Sequence, residues 1–175
     1  MVAREASGGK ELWRIPWKTN EEVNACDPTF VSNDSQVYIT SQYGFGRSLF
    51  DVSGPAPKEL WSHGSGIVFS SPVYVKGKLY AFNNGAGFGE VDLGTGKKIS
   101  RAGDNGSSVI VLGEWFLQVT SGGRLRVGKM VADGYAESHA YAVGAGETWN
   151  APAYWDGKLF LRNKKGDVFC SQISK

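Results

Sequence analysis

The sequence predicts an all-β fold, because four similar segments, the turn residues within them and the lack of helical periodicity all favour strands. Each segment reads as an apolar strand, a tight polar turn, a second strand with a central aromatic residue, and a glycine-marked turn. The four copies are DPTFVSNDSQVYITSQYG from Asp27, SSPVYVKGKLYAFNNG from Ser70, SSVIVLGEWFLQVTSGG from Ser107 and APAYWDGKLFLRNKKG from Ala151. No window keeps an apolar period of about 3.6 residues, so we expect almost no helix.

The spacing of the copies predicts a β-propeller. The first-strand anchors, separated by 44, 36 and 44 residues, are Pro28, Pro72, Ser108 and Pro152. The central aromatic residues, separated by 42, 36 and 44 residues, are Tyr38, Tyr80, Phe116 and Phe160. A period of roughly 40–50 residues with four short strands per unit is typical of propeller blades.

Each copy is followed by apolar runs that predict a third and a fourth strand. Third strands are expected at 48–52, 88–93, 124–128 and 168–173, and fourth strands at 58–61, 97–99 and, loosely, 139–143. These assignments divide one propeller domain, 1–175, into four four-stranded blades at about 24–61, 67–100, 105–143 and 148–175. The fourth-strand phrase also opens the chain at 9–13, where we find no first, second or third strand before it.

The two ends of the sequence suggest how the ring closes. The chain stops after a third strand, so the opening strand, within 6–17, is predicted to complete the last blade, because closure removes an exposed sheet edge. Three arrangements fit this pattern. One chain closes as a four-bladed ring, two chains exchange terminal strands to make eight blades, or the chain is a designed or excised half-propeller without an independent function.

Composition favours a packed, turn-rich domain and excludes a nucleic-acid-binding footprint. The chain is 41% hydrophobic and 13% aromatic, contains 24 Gly and has a net charge of +2. Its Lys and Arg residues are spread along the sequence, which does not resemble a basic patch. We expect Cys26 and Cys170 to be small buried strand residues, and they establish no redox compartment. Without a signal peptide or a long apolar run, the chain as given is expected to be soluble, with no membrane insertion.

Several strings resemble the pyrroloquinoline-quinone-like β-propeller repeat family, namely SGGKELW, KELW, SSPVYVKGKLYAF, VDLGTGKK and GDVFCSQ. The resemblance covers essentially the whole chain. Trp13 and Trp61 keep the docking tryptophan of the family's fourth strand, whereas Ile99 replaces it. Family propellers usually have eight blades, which favours a two-chain ring or a truncated chain over a four-bladed ring.

The family resemblance leaves the function open. Its members include quinone-dependent alcohol and sugar dehydrogenases, the propeller lipoprotein of outer-membrane assembly, and bacterial, planctomycete-type proteins without an assigned activity. This chain is most similar to the C-terminal half of that last group. For a full-length parent, the resemblance implies a periplasmic or extracytoplasmic location.

The sequence gives little support to an enzyme. The quinoprotein dehydrogenases need an acid and amide ion site and usually carry adjacent cysteines, which this chain lacks. Asn24 and Asp27 form the one acid–amide pair in a suitable position. His63 and His139 have no Ser or Cys partner in a recognisable motif. We therefore predict no catalytic residue, no metal and no cofactor, with pyrroloquinoline quinone and calcium as the alternative.

The loops that lead into the first strands are expected to form the rim of a central channel, which suits recognition of a ligand or partner. The candidate residues in those loops are Asn24, Asp27, Phe69, Ser70, Asn105, Trp149 and Asn150. Packing of Trp149 between blades is the competing interpretation. We predict a non-catalytic interaction scaffold that pairs with a second copy of itself and with a protein partner. A quinone- or sugar-binding protein with its site in the channel is the alternative.

Overall fold

The structure of the chain is a computed structural model that is all-β. It describes residues 1–18, 28–42, 44, 46–64, 66, 70–83, 87–99, 106–120, 122–131, 134–143, 146–148 and 150–173. In these ranges there are sixteen β-strands and no helix, as the lack of helical periodicity predicts. It follows that no described segment is a helix long and apolar enough to cross a membrane.

The strands form five antiparallel sheets that follow one another in chain order. The N-terminal hairpin contains β1 (Val2–Arg4) and β2 (Glu11–Arg14). Sheet I contains β3 (Thr29–Val31), β4 (Gln36–Thr40), β5 (Arg47–Asp51) and β6 (Lys58–His63). Sheet II contains β7 (Val73–Val75), β8 (Lys78–Asn83) and β9 (Gly87–Val91). Sheet III contains β10 (Gly106–Leu112), β11 (Trp115–Thr120), β12 (Arg124–Val131) and β13 (Gly134–Ala142). Sheet IV contains β14 (Ala153–Trp155), β15 (Lys158–Arg162) and β16 (Val168–Gln172).

Tight turns join the first two strands of sheets II and IV. Lys76 and Gly77 have φ values of 49° and 79°, and Asp156 and Gly157 have φ values of 45° and 73°. Two successive positive φ values define the type I′ turn, whose twist matches that of the flanking strands. The turn fixes the register, so that Val75 faces Lys78 in sheet II as Trp155 faces Lys158 in sheet IV.

The hydrophobic core lies in the gaps between consecutive sheets. Side chains alternate between the two faces of a strand, so each inner sheet contributes one set of apolar residues to each neighbouring gap. The buried residues are Ile15, Val37, Ile39 and Phe50 between the hairpin and sheet I; Val31, Tyr38, Leu49, Leu79, Ala81 and Val91 between sheets I and II; Tyr80, Phe82, Phe88, Val109 and Phe116 between sheets II and III; and Leu117, Val119, Leu125, Leu159 and Leu161 between sheets III and IV. The result is a row of sheets stacked face to face.

The opening segment differs from the prediction. A short strand, β1, precedes the fourth-strand phrase and pairs with it, so that Ala3 faces Trp13. The sequence interpretation missed β1 because three residues are too few to show an alternating pattern. Within the described residues, the sheet that contains β2 has β1 as its other strand, and β16 pairs with β15. Among the described residues the opening strand does not pair with the last sheet, and closure of the last blade by that strand stays a prediction.

The same β-bulge in two sheets shows that Trp13 and Trp61 are equivalent. The register shifts between Ala3 and Arg4 in the hairpin and between Leu49 and Phe50 in sheet I, and each shift lies beside the pair that contains the tryptophan. In sheet II the fourth strand is reduced to one bridge, between Val91 and Lys98. This bridge aligns Ile99 with Leu60 instead of with Trp61, and both of these aliphatic side chains are exposed.

The pattern of central aromatic residues is wrong in the third copy. Leu117 faces Ile110, as Tyr80 faces Val73 in sheet II, so Leu117 occupies the central position. Phe116 points to the opposite face and packs with Tyr80 in the gap behind it. The turn at Gly113 sets the register of this hairpin, so the chemical type of the aromatic residue does not indicate its position.

Candidate interaction surfaces

Two of the predicted rim residues lie within the described part of the chain. Ser70 is 2% exposed, and its hydroxyl has no hydrogen-bond partner among the residues that the structure describes. Asn150 is half-buried, and its carbonyl oxygen accepts a hydrogen bond from Ser108 Oγ at 3.1 Å. The other candidates lie outside the described residues, namely Asn24, Asp27, Phe69, Asn105 and Trp149. The rim site is therefore neither assembled nor excluded by this structure.

Hydroxyl groups connect the first strands of neighbouring sheets. Thr29 Oγ1 donates to the Pro72 carbonyl oxygen at 3.2 Å, which links sheet I to sheet II. The bond from Ser108 to the carbonyl of Asn150 links sheet III to sheet IV in the same way. Both hydrogen bonds are partly buried, and by satisfying backbone carbonyls they stabilise the stacking of the sheets. The backbone at Asn150 thus has a structural role beside any role in binding.

The fourth strand of sheet I docks on the loop that follows β9. Trp61 Nε1 donates to the Leu93 carbonyl oxygen at 2.7 Å, and Arg47 Nη2 donates to that of Gly96 at 3.2 Å. The His63 ring contacts Trp61, and its Nε2 lies 2.8 Å from the Thr95 carbonyl oxygen. Trp61 is therefore a docking residue, as predicted, and His63 belongs to the same contact between sheets.

The outward face of sheet IV is uncovered. This face, called here the sheet IV face, comprises Ala153, Trp155, Phe160, Val168 and Cys170, because Phe160 faces both Ala153 and Cys170 across the strands. Trp155 is 77% exposed and Val168 is 68% exposed. The equivalent positions in the preceding sheets, such as Tyr80 and Leu117, are buried by the next sheet. Large adjacent apolar side chains left in water mark a docking surface.

The outward side of the N-terminal hairpin is charged. Glu11 pairs with Arg14 at 2.7 Å and with Arg4 at 3.6 Å. The hydrogen bonds from Arg14, which are the larger cause, and its charge hold the pKa of Glu11 below its ordinary value. Leu12 is 50% exposed on this hairpin. We call Arg4, Glu11, Leu12 and Arg14 the hairpin face; it carries one net positive charge.

The expected burial of Cys170 is wrong, and two tryptophans beside hairpin turns are also exposed. Cys170 is a strand residue, as expected, but it is exposed rather than buried, and Cys26 lies outside the described residues. Trp155 is not packed against a neighbouring sheet. Trp115 is 40% exposed, and Lys129 Nζ lies 4.5 Å from the centre of its ring. The burial of Cys170 and Trp155 depends on whether another sheet covers sheet IV.

Among the described residues, no group of three or more His, Cys, Asp or Glu side chains could hold a metal ion. His139 is exposed and stacks on Tyr141, with their ring planes 7° apart. It sits beside the bulge of sheet III, at the position equivalent to Trp61, because it faces Val127 as Trp61 faces Leu49. His139 therefore takes the place of a docking tryptophan.

Comparison with solved structures shows that the chain has a propeller-like fold. It is similar to BamB from Moraxella catarrhalis, with a TM-score of 0.66 and 11% identity over 98% of this chain and 54% of that one. It is equally similar to the computationally designed Ika8 protein, with a TM-score of 0.66 and 12% identity over 97% of this chain and 51% of that one. The designed Ika4 protein gives a TM-score of 0.61 and 12% identity, over 95% of this chain and 99% of that one.

These solved structures are β-propeller-like proteins, and at such low identity the likeness shows the fold alone. The chain spans about half the length of the BamB and Ika8 structures that it matches. No protein-family model and no curated protein matches the sequence.

Sequence reasoning missed the sheet IV face, although a signal for it was present. Trp155 precedes the Asp156–Gly157 turn, at a position where the other copies carry Val31, Val75 and Leu112. Trp155 is the one aromatic residue among these four equivalent positions, and this difference marks sheet IV in the sequence.

Proposed function

We propose that this chain is a non-catalytic interaction module built from pyrroloquinoline-quinone-like β-propeller repeats. The propeller-like fold and strings such as SSPVYVKGKLYAF and VDLGTGKK support the family assignment. The sheets form a rigid support whose loops and uncovered faces are available for contacts. The observation that carries the proposal is the exposed sheet IV face, because the equivalent faces of the preceding sheets are covered by the next sheet of the same chain.

We infer that a second copy of the chain completes the ring, with the sheet IV face of each copy against the hairpin face of the other. Two contacts of this kind close a two-fold assembly, as a head-to-tail interface does when its rotation closes. This face-to-face contact replaces simple strand exchange. The strand β2 corresponds to the fourth strand of a blade, and it already pairs with β1 of its own chain, which takes the position of the third strand. Lys158 and Arg162 lie on the same side of sheet IV as Trp155 and Val168, with which they pair. The hairpin face is also positive, so added salt should strengthen this contact by screening the repulsion.

Light scattering of the intact chain in 0.5 M salt tests this inference. The expected mass is near twice 18.9 kDa. The double variant Trp155→Ser, Val168→Ser should have the mass of one chain. Ile99→Ser, Val131→Ser is the matched control, since these aliphatic residues are 58% and 50% exposed on other sheets. A single-chain mass for the intact protein, or an unchanged mass for the Trp155→Ser, Val168→Ser variant, would exclude the two-copy ring.

The quinone-binding alternative has its own test. Pyrroloquinoline quinone and calcium chloride are added together, and thermal unfolding is followed. A ligand that binds only the folded state, present at a free concentration of 100 times its dissociation constant, raises the free energy of unfolding by about 2.7 kcal/mol. We expect no rise in Tm with both present. A rise that requires both components would replace the interaction module with a quinone protein.

A further inference from the structure

A small groove separates the turn ends of sheets II and III. Its volume is about 260 Å3, and Val75, Tyr80, Phe116 and Met130 provide its apolar surface. The rings of Tyr80 and Phe116 meet edge to face, with their centroids 5.0 Å apart. Because small-molecule pockets usually occupy about 300–1,000 Å3, this groove fits one side chain better than a whole cofactor.

Charged side chains surround the groove and leave it positive. Lys78 Nζ pairs with Glu90 at 2.9 Å. Glu114 accepts from Lys129 at 3.1 Å and lies 3.8 Å from Lys76 across the mouth of the groove. Three ammonium groups thus share two carboxylates. The Lys129 hydrogen bond and charge, with a smaller effect of Lys76, hold the pKa of Glu114 below its ordinary value.

Lys76 occupies a backbone position that does not favour lysine. Its φ is +49°, in the first central position of the type I′ turn. Asn, Asp and Gly are preferred there, and the equivalent turn in sheet IV has Asp156. A residue that departs from the local preference often does so for a functional reason. The type I′ turn does not need lysine, whose side chain places a cation at the mouth of the groove, 3.8 Å from Glu114.

We propose that this groove binds an acidic peptide segment of a partner protein. The partner's carboxylate lies between the ammonium groups of Lys76 and Lys78, and a neighbouring large apolar side chain rests on Tyr80, Phe116 and Met130. The inference rests on the proposed interaction role and names the chemistry of a partner for it. It does not depend on ring completion, since the groove lies between two sheets of the same chain.

The two methionines of the chain make a direct test available. Met130 lines the groove, whereas Met1 packs beside the hairpin and sheet I. Protein labelled with 13C at the methionine methyl groups is titrated with acetyl-Gly-Phe-Asp-Gly-amide. The control peptide carries Asn in place of Asp, and benzoate represents a free small carboxylate. We expect the acidic peptide to shift the Met130 signal with saturation and to leave the Met1 signal unchanged.

Comparison of the probes decides the class of ligand. An unmoved Met130 signal, or equal affinity for the Asp and Asn peptides, would overturn the proposal. Benzoate that binds as tightly as the acidic peptide would also overturn it, because a small carboxylate would then be the ligand. None of these outcomes changes the solution mass, so failure here is distinct from failure of the two-copy ring.

The Lys76→Asn variant separates binding from folding. Asn suits the positive φ, so the variant should be at least as stable as the parent chain. Loss of one exposed charge should lower the affinity for the acidic peptide about threefold to fivefold. Lys165→Asn, which changes an exposed lysine in another turn, is the control and should bind as the parent does. Unchanged affinity in Lys76→Asn would contradict the assigned role of Lys76.

Discussion

The indole nitrogen of Trp61 donates a hydrogen bond of 2.7 Å to the carbonyl oxygen of Leu93. This bond joins the outer strand of sheet I to the loop of the next sheet, while Trp61 also packs in the gap between sheets I and II. The outer edges of the two sheets are thus held by a direct polar contact as well as by apolar packing.

Trp61→Phe should reduce the free energy of unfolding by about 1–2 kcal/mol, because a partly buried carbonyl loses its donor while most ring packing remains. Urea unfolding measures the change. Trp155→Phe is the control, since Trp155 is 77% exposed, and it should behave as the parent chain in dilute solution. Equal stability of Trp61→Phe and the parent would show that the hydrogen bond does not stabilise the contact.

The buried Tyr38 side chain is expected to make the folded state less stable at high pH. Burial raises the pKa of Tyr38 from its ordinary 10.0 to about 12, although the nearby charge of Arg47 acts in the opposite direction. The folded state therefore holds the phenol proton more tightly than the unfolded chain. Its contribution, roughly 3 kcal/mol or less, is complete below pH 10 and is lost as the pH rises towards 12.

The measurement is urea unfolding at a series of pH values from 8 to about 12, where the effect of Tyr38 should end. In Tyr38→Phe the free energy of unfolding should fall less steeply with pH, because the folded and unfolded states then differ by about one bound proton fewer. Burial also raises the pKa of Tyr135 to about 12. The part of the decline that Tyr135 causes should therefore remain in this variant. Tyr141→Phe changes an exposed tyrosine and should decline as the parent does. An identical decline in Tyr38→Phe would refute the assignment.

Local turn chemistry explains why most strands could be predicted. Short apolar runs bounded by Gly, Asn, Asp and Lys specify hairpins through local interactions, so these hairpins can be predicted without knowledge of the tertiary contacts. The predicted fourth strand at 58–61 corresponds to β6, and the predicted third strand at 168–173 to β16. The error at Phe116 arose where aromatic type was given more weight than the position of the turn.

Exposure could not be predicted in the same way, because it depends on neighbouring sheets. Tyr80 and Phe160 occupy equivalent positions after equivalent turns, yet Tyr80 is 5% exposed and Phe160 is only half-buried. The difference is that sheet III covers Tyr80, whereas nothing in the described chain covers the sheet IV face. The groove at Lys76 was missed for a similar reason, since its charges come from two separate sheets.

Gly46 is expected to tolerate no side chain. Its φ is +75°, and a Cβ atom there would lie 1.9 Å from the carbonyl oxygen of His63. Gly46→Ala should therefore cost at least about 2 kcal/mol in urea unfolding, from strain and overlap with backbone that cannot move aside. Gly54→Ala is the control, because nothing lies within 4 Å of its Cβ, and it should change stability by less than about 0.5 kcal/mol. Similar losses in both variants would contradict this account.

Cys170 offers a chemical probe of the sheet IV face. Its thiol is exposed and free in the single chain, and it lies beside Phe160 on that face. In a Cys26→Ser background, a thiol reagent should modify Cys170 rapidly at nanomolar protein. The rate should fall severalfold at protein concentrations where the two-copy ring forms, because the partner then excludes the reagent. In the Trp155→Ser, Val168→Ser variant the rate should stay high at every concentration. A rate that does not depend on concentration in the intact chain would place Cys170 outside any self-contact and leave the sheet IV face open.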